Sequence, residues 1–96
     1  MPAYMILTRE EPLRDAEAMA EYQRRNRESA GKHTLKPLVV YGKIEALEGE
    51  APDGVVVLQF PTVADAKAWY NSADYQAVLP YRLKAAKHRA FIVEGL

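Results

Sequence analysis

The chain has 96 residues, and its thirteen lysines and arginines are balanced by thirteen aspartates and glutamates, so no long-range field draws in nucleic acid or an anionic membrane. A length of this order makes one domain, residues 1–96, burying only ~60–65% of its unfolded surface, so that pairing with a second copy would add buried area cheaply. Cysteine is absent, which excludes disulfides, thiolate catalysis and cysteine-rich zinc sites and fits a cytoplasmic location.

Residues 3–9 are apolar on both alternating sets, Ala3, Met5 and Leu7 on one and Tyr4 and Ile6 on the other, so they read as a strand covered on both faces. The opening lacks the basic start, apolar stretch and cleavage site of a secretory signal. No apolar run approaches the ~20 residues of a membrane span. Pro12 then precedes a predicted helix running to about residue 30, stopped by Gly31. Its inward stripe is expected to be Leu13, Ala16, Met19, Ala20 and Gln23, with Tyr22 or Asn26 on the border. Arg24, Arg25 and Arg27 alternate with Glu21 and Glu28 at spacings that form ion pairs on a solvated helix face.

A second strand is predicted over residues 38–47, with Lys43 and Glu45 on one set. The turn-forming residues at 49–54 then imply an antiparallel hairpin into a third strand, residues 55–60, the most apolar piece of the chain. Thr62 is placed to cap a short helix, with Asp65 as a shortened capping-box partner. Asn71 and Ser72 interrupt the pattern, and Ser72 caps a second helix in which Pro80 should cause a kink or a restart. Tyr75, Val78, Leu79, Arg82, Leu83 and Ala86 follow at helical spacing. Residues 89–94 close the chain as a fourth strand.

The order β-α-β-β-α-β is that of an α+β, ferredoxin-like domain: a four-stranded antiparallel sheet with its helices on one face and the first and third strands in the middle. Lys43 and Glu45 are charges of the kind that protect an edge strand. Residues 55–60 supply apolar groups to both faces, yet helices cover only one. Leaving the other wet would forfeit several kcal/mol at ~25 cal/mol per Å2. A homodimer joined through the sheet faces is therefore expected.

The run from Phe60-Pro61 through Ala66-Lys67-Ala68-Trp69-Tyr70-Asn71-Ser72, Tyr75-Gln76, Leu79-Pro80 and Arg82 resembles the signature of the domain of unknown function 1330 family. Leu47-Glu48-Gly49 and the closing Phe91-Ile92-Val93-Glu94-Gly95 resemble it too. The resemblance implies a dimeric α+β barrel, two ferredoxin-like sheets packed face to face. Where members of that family tend to carry Arg-Gly-Gly, this chain has Tyr41-Gly42-Lys43, so a phenol stands in place of the arginine.

Relatives in the wider superfamily include cofactor-independent monooxygenases, muconolactone-type isomerases and haem-degrading enzymes, whose substrates sit between a sheet and its helices. The resemblance implies a similar cleft lined by Tyr22, Tyr41, Trp69, Tyr70, Tyr75 and Arg82. Of these, Tyr41, Trp69, Tyr75 and Arg82 are the candidate substrate-binding residues. Phenols and an indole suit a small aromatic or enolisable molecule, and the Arg82 fork suits a carboxylate or enolate oxygen. The structural alternatives are packing for at least one of Trp69 and Tyr70, and an ion pair or a helix-end contact for Arg82. Ser72 reads as a helix cap and not as a nucleophile.

His33 and His88 both read as surface loop residues, and neither fits a metal motif. Scattered glycines leave no phosphate loop, so no cofactor is expected. The basic cluster around Arg82, Lys84, Lys87 and Arg89 is ordinary compensation of a helix dipole, and no RNA-binding run occurs. No general base can be named from the sequence. Three readings stay open: a small cofactor-independent enzyme, a non-catalytic small-molecule binding module, and a purely structural dimer.

Overall fold

Two hydroxyl caps organise the second half of the chain. In the computed structural model, which describes residues 1–29 and 34–96 (Glu28 and Ser29 by backbone alone), Thr62 Oγ1 accepts the Asp65 amide at 3.1 Å and opens helix α2 (Val63–Tyr70). Asp65 answers through its carboxylate, which accepts the Thr62 hydroxyl at 2.8 Å. Ser72 works in both directions. It donates to the Trp69 carbonyl at 2.7 Å, closing α2, and accepts the Tyr75 amide at 3.2 Å, opening α3 (Ala73–Ala85). One hydroxyl thus sets the angle between the helices that carry Trp69 and Tyr75. Ser72→Ala should cost about 1–2 kcal/mol, lowering the melting temperature by about 4–8 °C for each kcal/mol in a domain of this size. A melting curve that superimposes on the parent would show that the hydroxyl is not holding the corner.

The remaining elements are strand β1 (Ala3–Arg9), helix α1 (Ala16–Ser29), and strands β2 (Lys36–Val40), β3 (Gly54–Phe60) and β4 (His88–Glu94). The sheet order is β2-β3-β1-β4, every pair antiparallel, with the helices packed on one face: the expected ferredoxin-like α+β arrangement. Met5, Leu7, Leu58 and Phe60 point into the core formed with Ala18, Met19, Tyr22, Ala66, Trp69, Tyr75, Val78 and Ala85.

On the other face, the register aligns Val39, Val57, Ile6 and Phe91 in a row across all four strands, with Tyr4 and Val93 beside it. Val39, Phe91 and Val93 are about two-fifths exposed (38%, 44% and 45%), and no described element covers them.

Four local expectations need correcting. The first helix begins at Ala16 instead of directly after Pro12, because the Asp15 carboxylate accepts the Ala18 amide at 2.9 Å and caps it there. Its buried face is consequently Ala18, Met19 and Tyr22, while Leu13, Ala16 and Ala20 are exposed. Glu21 does hold Arg24 and Arg25 on the solvent side. The second strand ends at Val40. Tyr41 takes the left-handed conformation (φ 55°) and turns the chain out of the sheet, so Lys43 and Glu45 lie on a long loop, not on the edge strand. Helix α3 runs through Pro80 without a restart. The bond lost there would have been to the Gln76 carbonyl, and both residues are exposed, so solvent satisfies it. The fourth strand starts one residue early, at His88, and this draws His88 off the surface. Ala30, the Gly31 helix stop and His33 lie outside the described residues.

Candidate functional site

Between the sheet and the helices is a cavity of about 400 Å3. Its floor is Leu7, Val56 and Leu58, the helix-facing residues of the central strands. Pro37, Val40 and Tyr41 form one side, and Tyr22, Gln23 and Asn26 of α1 form the other. Trp69 at the end of α2, Arg82 of α3 and His88 of β4, with Leu35 and the exposed Arg27 of α1, complete the wall. Three of the four sequence-named residues, Tyr41, Trp69 and Arg82, therefore converge on one space.

Tyr75 is placed behind the wall. It is 1% exposed, its ring centroid is 4.1 Å from that of Trp69, and its hydroxyl is 2.9 Å from the Tyr22 hydroxyl. Tyr22, which does face the cavity, meets the Tyr75 ring edge-on. Burial pushes the Tyr22 phenol well above its ordinary range, and the contact with Tyr75 adds to this, so Tyr22 offers a neutral hydroxyl at all physiological pH values. Trp69 is both core and wall: it is 4% exposed and tilted against Phe60 at 5.7 Å.

Tyr41 stands at the cavity rim, its conformation set by the positive φ that ends β2. Its ring lies against Gly54, where a Cβ would come within 2.9 Å of two ring carbons, so a side chain at position 54 would displace the phenol. The Arg9 guanidinium sits 5.7 Å from the ring centroid and is steadied by the Asp53 carbonyl, which accepts from Nη2 at 3.1 Å. Burial raises the Tyr41 pKa, opposed by the positive charges of Arg9 and Arg82.

Arg82 is 3% exposed, and its Nε has no hydrogen-bond partner among the described residues. Among the described residues the ion pairs join surface groups, and none includes Arg82. A charge removed from water without a counter-charge costs several kcal/mol, so a buried guanidinium beside a cavity marks where an anion belongs.

His88 shares the Arg9 register and faces the helices. Its Nδ1 lies 2.9 Å from the Ala86 carbonyl, an acceptor only, so the ring proton sits on Nδ1 and the Nε2 lone pair is free. Nε2 is buried without a partner among the described residues. Burial lowers the His88 pKa, against the pull of the Ala86 carbonyl and with the help of the Arg82 and Arg9 charges, so the ring is neutral at pH 7. Sequence reasoning missed His88 by starting the strand one residue late. The available signal was alternation, since His88, Ala90 and Ile92 fall on one face once the strand includes residue 88.

The arrangement offers apolar walls, a hydroxyl pair, one buried cation and one neutral imidazole. Among the described residues no cluster of three histidine, aspartate or glutamate side chains could hold a metal ion, and no helix is long and apolar enough to cross a membrane.

An antiparallel sheet backed by helices, with a cavity between the two layers, defines a ferredoxin-like α+β protein with an internal small-molecule-sized space. The chain belongs to the family described as domain of unknown function (DUF1330), whose model matches residues 2–96. Among solved structures it is similar to a protein of unknown function from Rhodopseudomonas palustris, in its methylated form, at 23% identity and a TM-score of 0.77, covering 99% of this chain and 81% of that one. A dimeric protein of unknown function with a ferredoxin-like fold from Bacteroides fragilis matches at 13% identity and a TM-score of 0.64, covering 98% and 96% of the two chains. An ethyl tert-butyl ether D family protein from Bacillus halodurans matches at 17% identity and a TM-score of 0.64 over the whole of both. At these identities the likeness extends to the fold alone. No curated protein matches the chain.

Proposed function

We propose that the protein is a homodimer whose sheet–helix cavity binds a small, flat, aromatic or enolisable anion, its carboxylate or enolate oxygen seated on Arg82. The observation that carries this reading is Arg82 itself, buried beside the cavity with no ion pair among the described residues. A purely structural dimer would fill the space with Trp69 and the tyrosines, and the volume they leave open speaks for a ligand. Tyr41 and Trp69 supply the flat apolar contact, and Tyr22, backed by Tyr75, supplies a neutral hydroxyl. The apolar row Val39, Val57, Ile6 and Phe91 supports the pairing of two sheets face to face, as does the dimeric state of the Bacteroides fragilis neighbour.

Trp69 is the only tryptophan and lies in the cavity wall, so its fluorescence reports binding directly. Phenylacetate should change that fluorescence saturably, and neutral phenylacetamide should bind about 10- to 150-fold more weakly, the worth of a charge-assisted hydrogen bond of about 1.5–3 kcal/mol. Equal affinities for acid and amide would overturn the anion reading.

A further inference from the structure

We propose that His88 is the general base of a proton-transfer site in this cavity, acting on a carbonyl compound with an acidic C–H next to the carbonyl; this rests on the anion-binding reading of Arg82. Three features of the geometry carry it. The Ala86 carbonyl pins the Nδ1 proton at 2.9 Å, which leaves Nε2 with its lone pair. That nitrogen is shielded from solvent and has no partner among the described residues, so none of them uses the lone pair. His88 and the buried guanidinium of Arg82 stand in the wall of the same cavity.

A base and a fixed positive charge on one cavity wall are the two groups that enolisation requires. Nε2 accepts the proton of the C–H bond while that bond's electron pair forms the new C=C bond. The carbonyl π pair moves to oxygen, where the Arg82 guanidinium stabilises the enolate. The imidazolium then returns the proton to the enolate oxygen or to a different carbon. The outcome is a tautomer or positional isomer, with no oxidant, reductant or co-reactant consumed.

The charged groups facing His88 are Arg9 of β1, Glu10 just beyond it and Arg82 of α3. The two cations oppose protonation of the ring, as burial does, and Glu10 favours it. Glu10 is already engaged, accepting the Thr8 hydroxyl at 2.8 Å and lying 3.7 Å from Arg89. The free base is accordingly the resting form near neutrality.

The test follows deuterium uptake at C3 of phenylpyruvate in D2O by NMR, with phenylacetate as the unreactive binding probe. The parent should exchange faster than buffer alone, with a rate that rises with pH and levels off above an apparent pKa below the ordinary imidazole value. His88→Gln should lower kcat/KM for exchange by about 100-fold or more, a fall far larger than any change in its phenylacetate affinity. If that variant does not fold, His88→Asn and the pH profile of the parent carry the same decision. Exchange no faster than buffer, or exchange undiminished in the folded variant, overturns the role of His88. If phenylacetate still binds the parent more tightly than phenylacetamide does, the anion reading survives that result; if it does not bind, both readings fall together.

Discussion

Arg82→Met should stabilise the ligand-free protein and, in the same variant, abolish its preference for an aromatic carboxylate. The two effects have opposite signs because one buried charge causes both. Arg82 is 3% exposed, has an orphaned Nε and enters no ion pair among the described residues, so none of these repays its desolvation. Methionine keeps a long, unbranched stem and discards the charge. Replacing buried ionic groups with apolar ones of similar volume has stabilised other proteins by about 1–4 kcal/mol. A rise in melting temperature of at least several degrees is expected from about 4–8 °C per kcal/mol. With the cation gone, phenylacetate should lose its advantage over phenylacetamide, a fall of about 10- to 150-fold on the same charge-assisted scale. Differential scanning calorimetry and Trp69 fluorescence measure the two halves separately. A variant that melts lower and still prefers the acid would mean that Arg82 is a structural residue with protein partners.

On the proposed pairing of two sheets, Phe91→Glu should convert the dimer to a folded monomer. Phe91 ends the apolar row on the open face and lies on the edge strand β4, where it is 44% exposed in the single chain. A glutamate there costs the lone protomer little. Pressed against a second sheet it buries an unpaired carboxylate and gives up the ring, each worth kilocalories on the scale of about 1.5–3 kcal/mol for a buried large apolar side chain. Dimer affinity should fall by at least about 100-fold, since 1.4 kcal/mol is a factor of ten. Sedimentation velocity at micromolar concentration, with circular dichroism as the check on folding, decides the matter. A parent that sediments as a single subunit, or a variant as dimeric as the parent, would remove the open face as the contact.

What the sequence revealed and what it hid follow from the range of the interactions involved. Thr62 and Ser72 were readable as caps because a cap needs only residues three positions apart. The central positions of β1 and β3 were readable because strands covered on both faces carry apolar residues on both alternating sets. The end of β2 was not. Leu38, Val40, Ile44 and Leu47 continue an apolar pattern past the point where Tyr41 adopts positive φ, and that conformation is fixed by the ring's contact with Gly54, thirteen positions away in the chain. The same distinction divides the site. The residue types at 41, 69 and 82 invited a cleft. That Arg82 lacks a counter-charge among the described residues, and that His88 turns inward with one nitrogen spoken for, are facts about neighbours that only folding assembles.

The loop that leaves the sheet at Tyr41 is tethered at each end, by the Tyr41 amide to the Val55 carbonyl at 2.9 Å and by the Asp53 amide to the Arg9 carbonyl at 2.7 Å. Between these anchors Leu47 is 90% exposed, and the polypeptide contains no thiol of its own. A cysteine introduced at that position would be a unique attachment point for a dye or spin label, held on a short leash about a rigid frame. Distances measured between the labels of two associated copies would then map how the subunits are oriented.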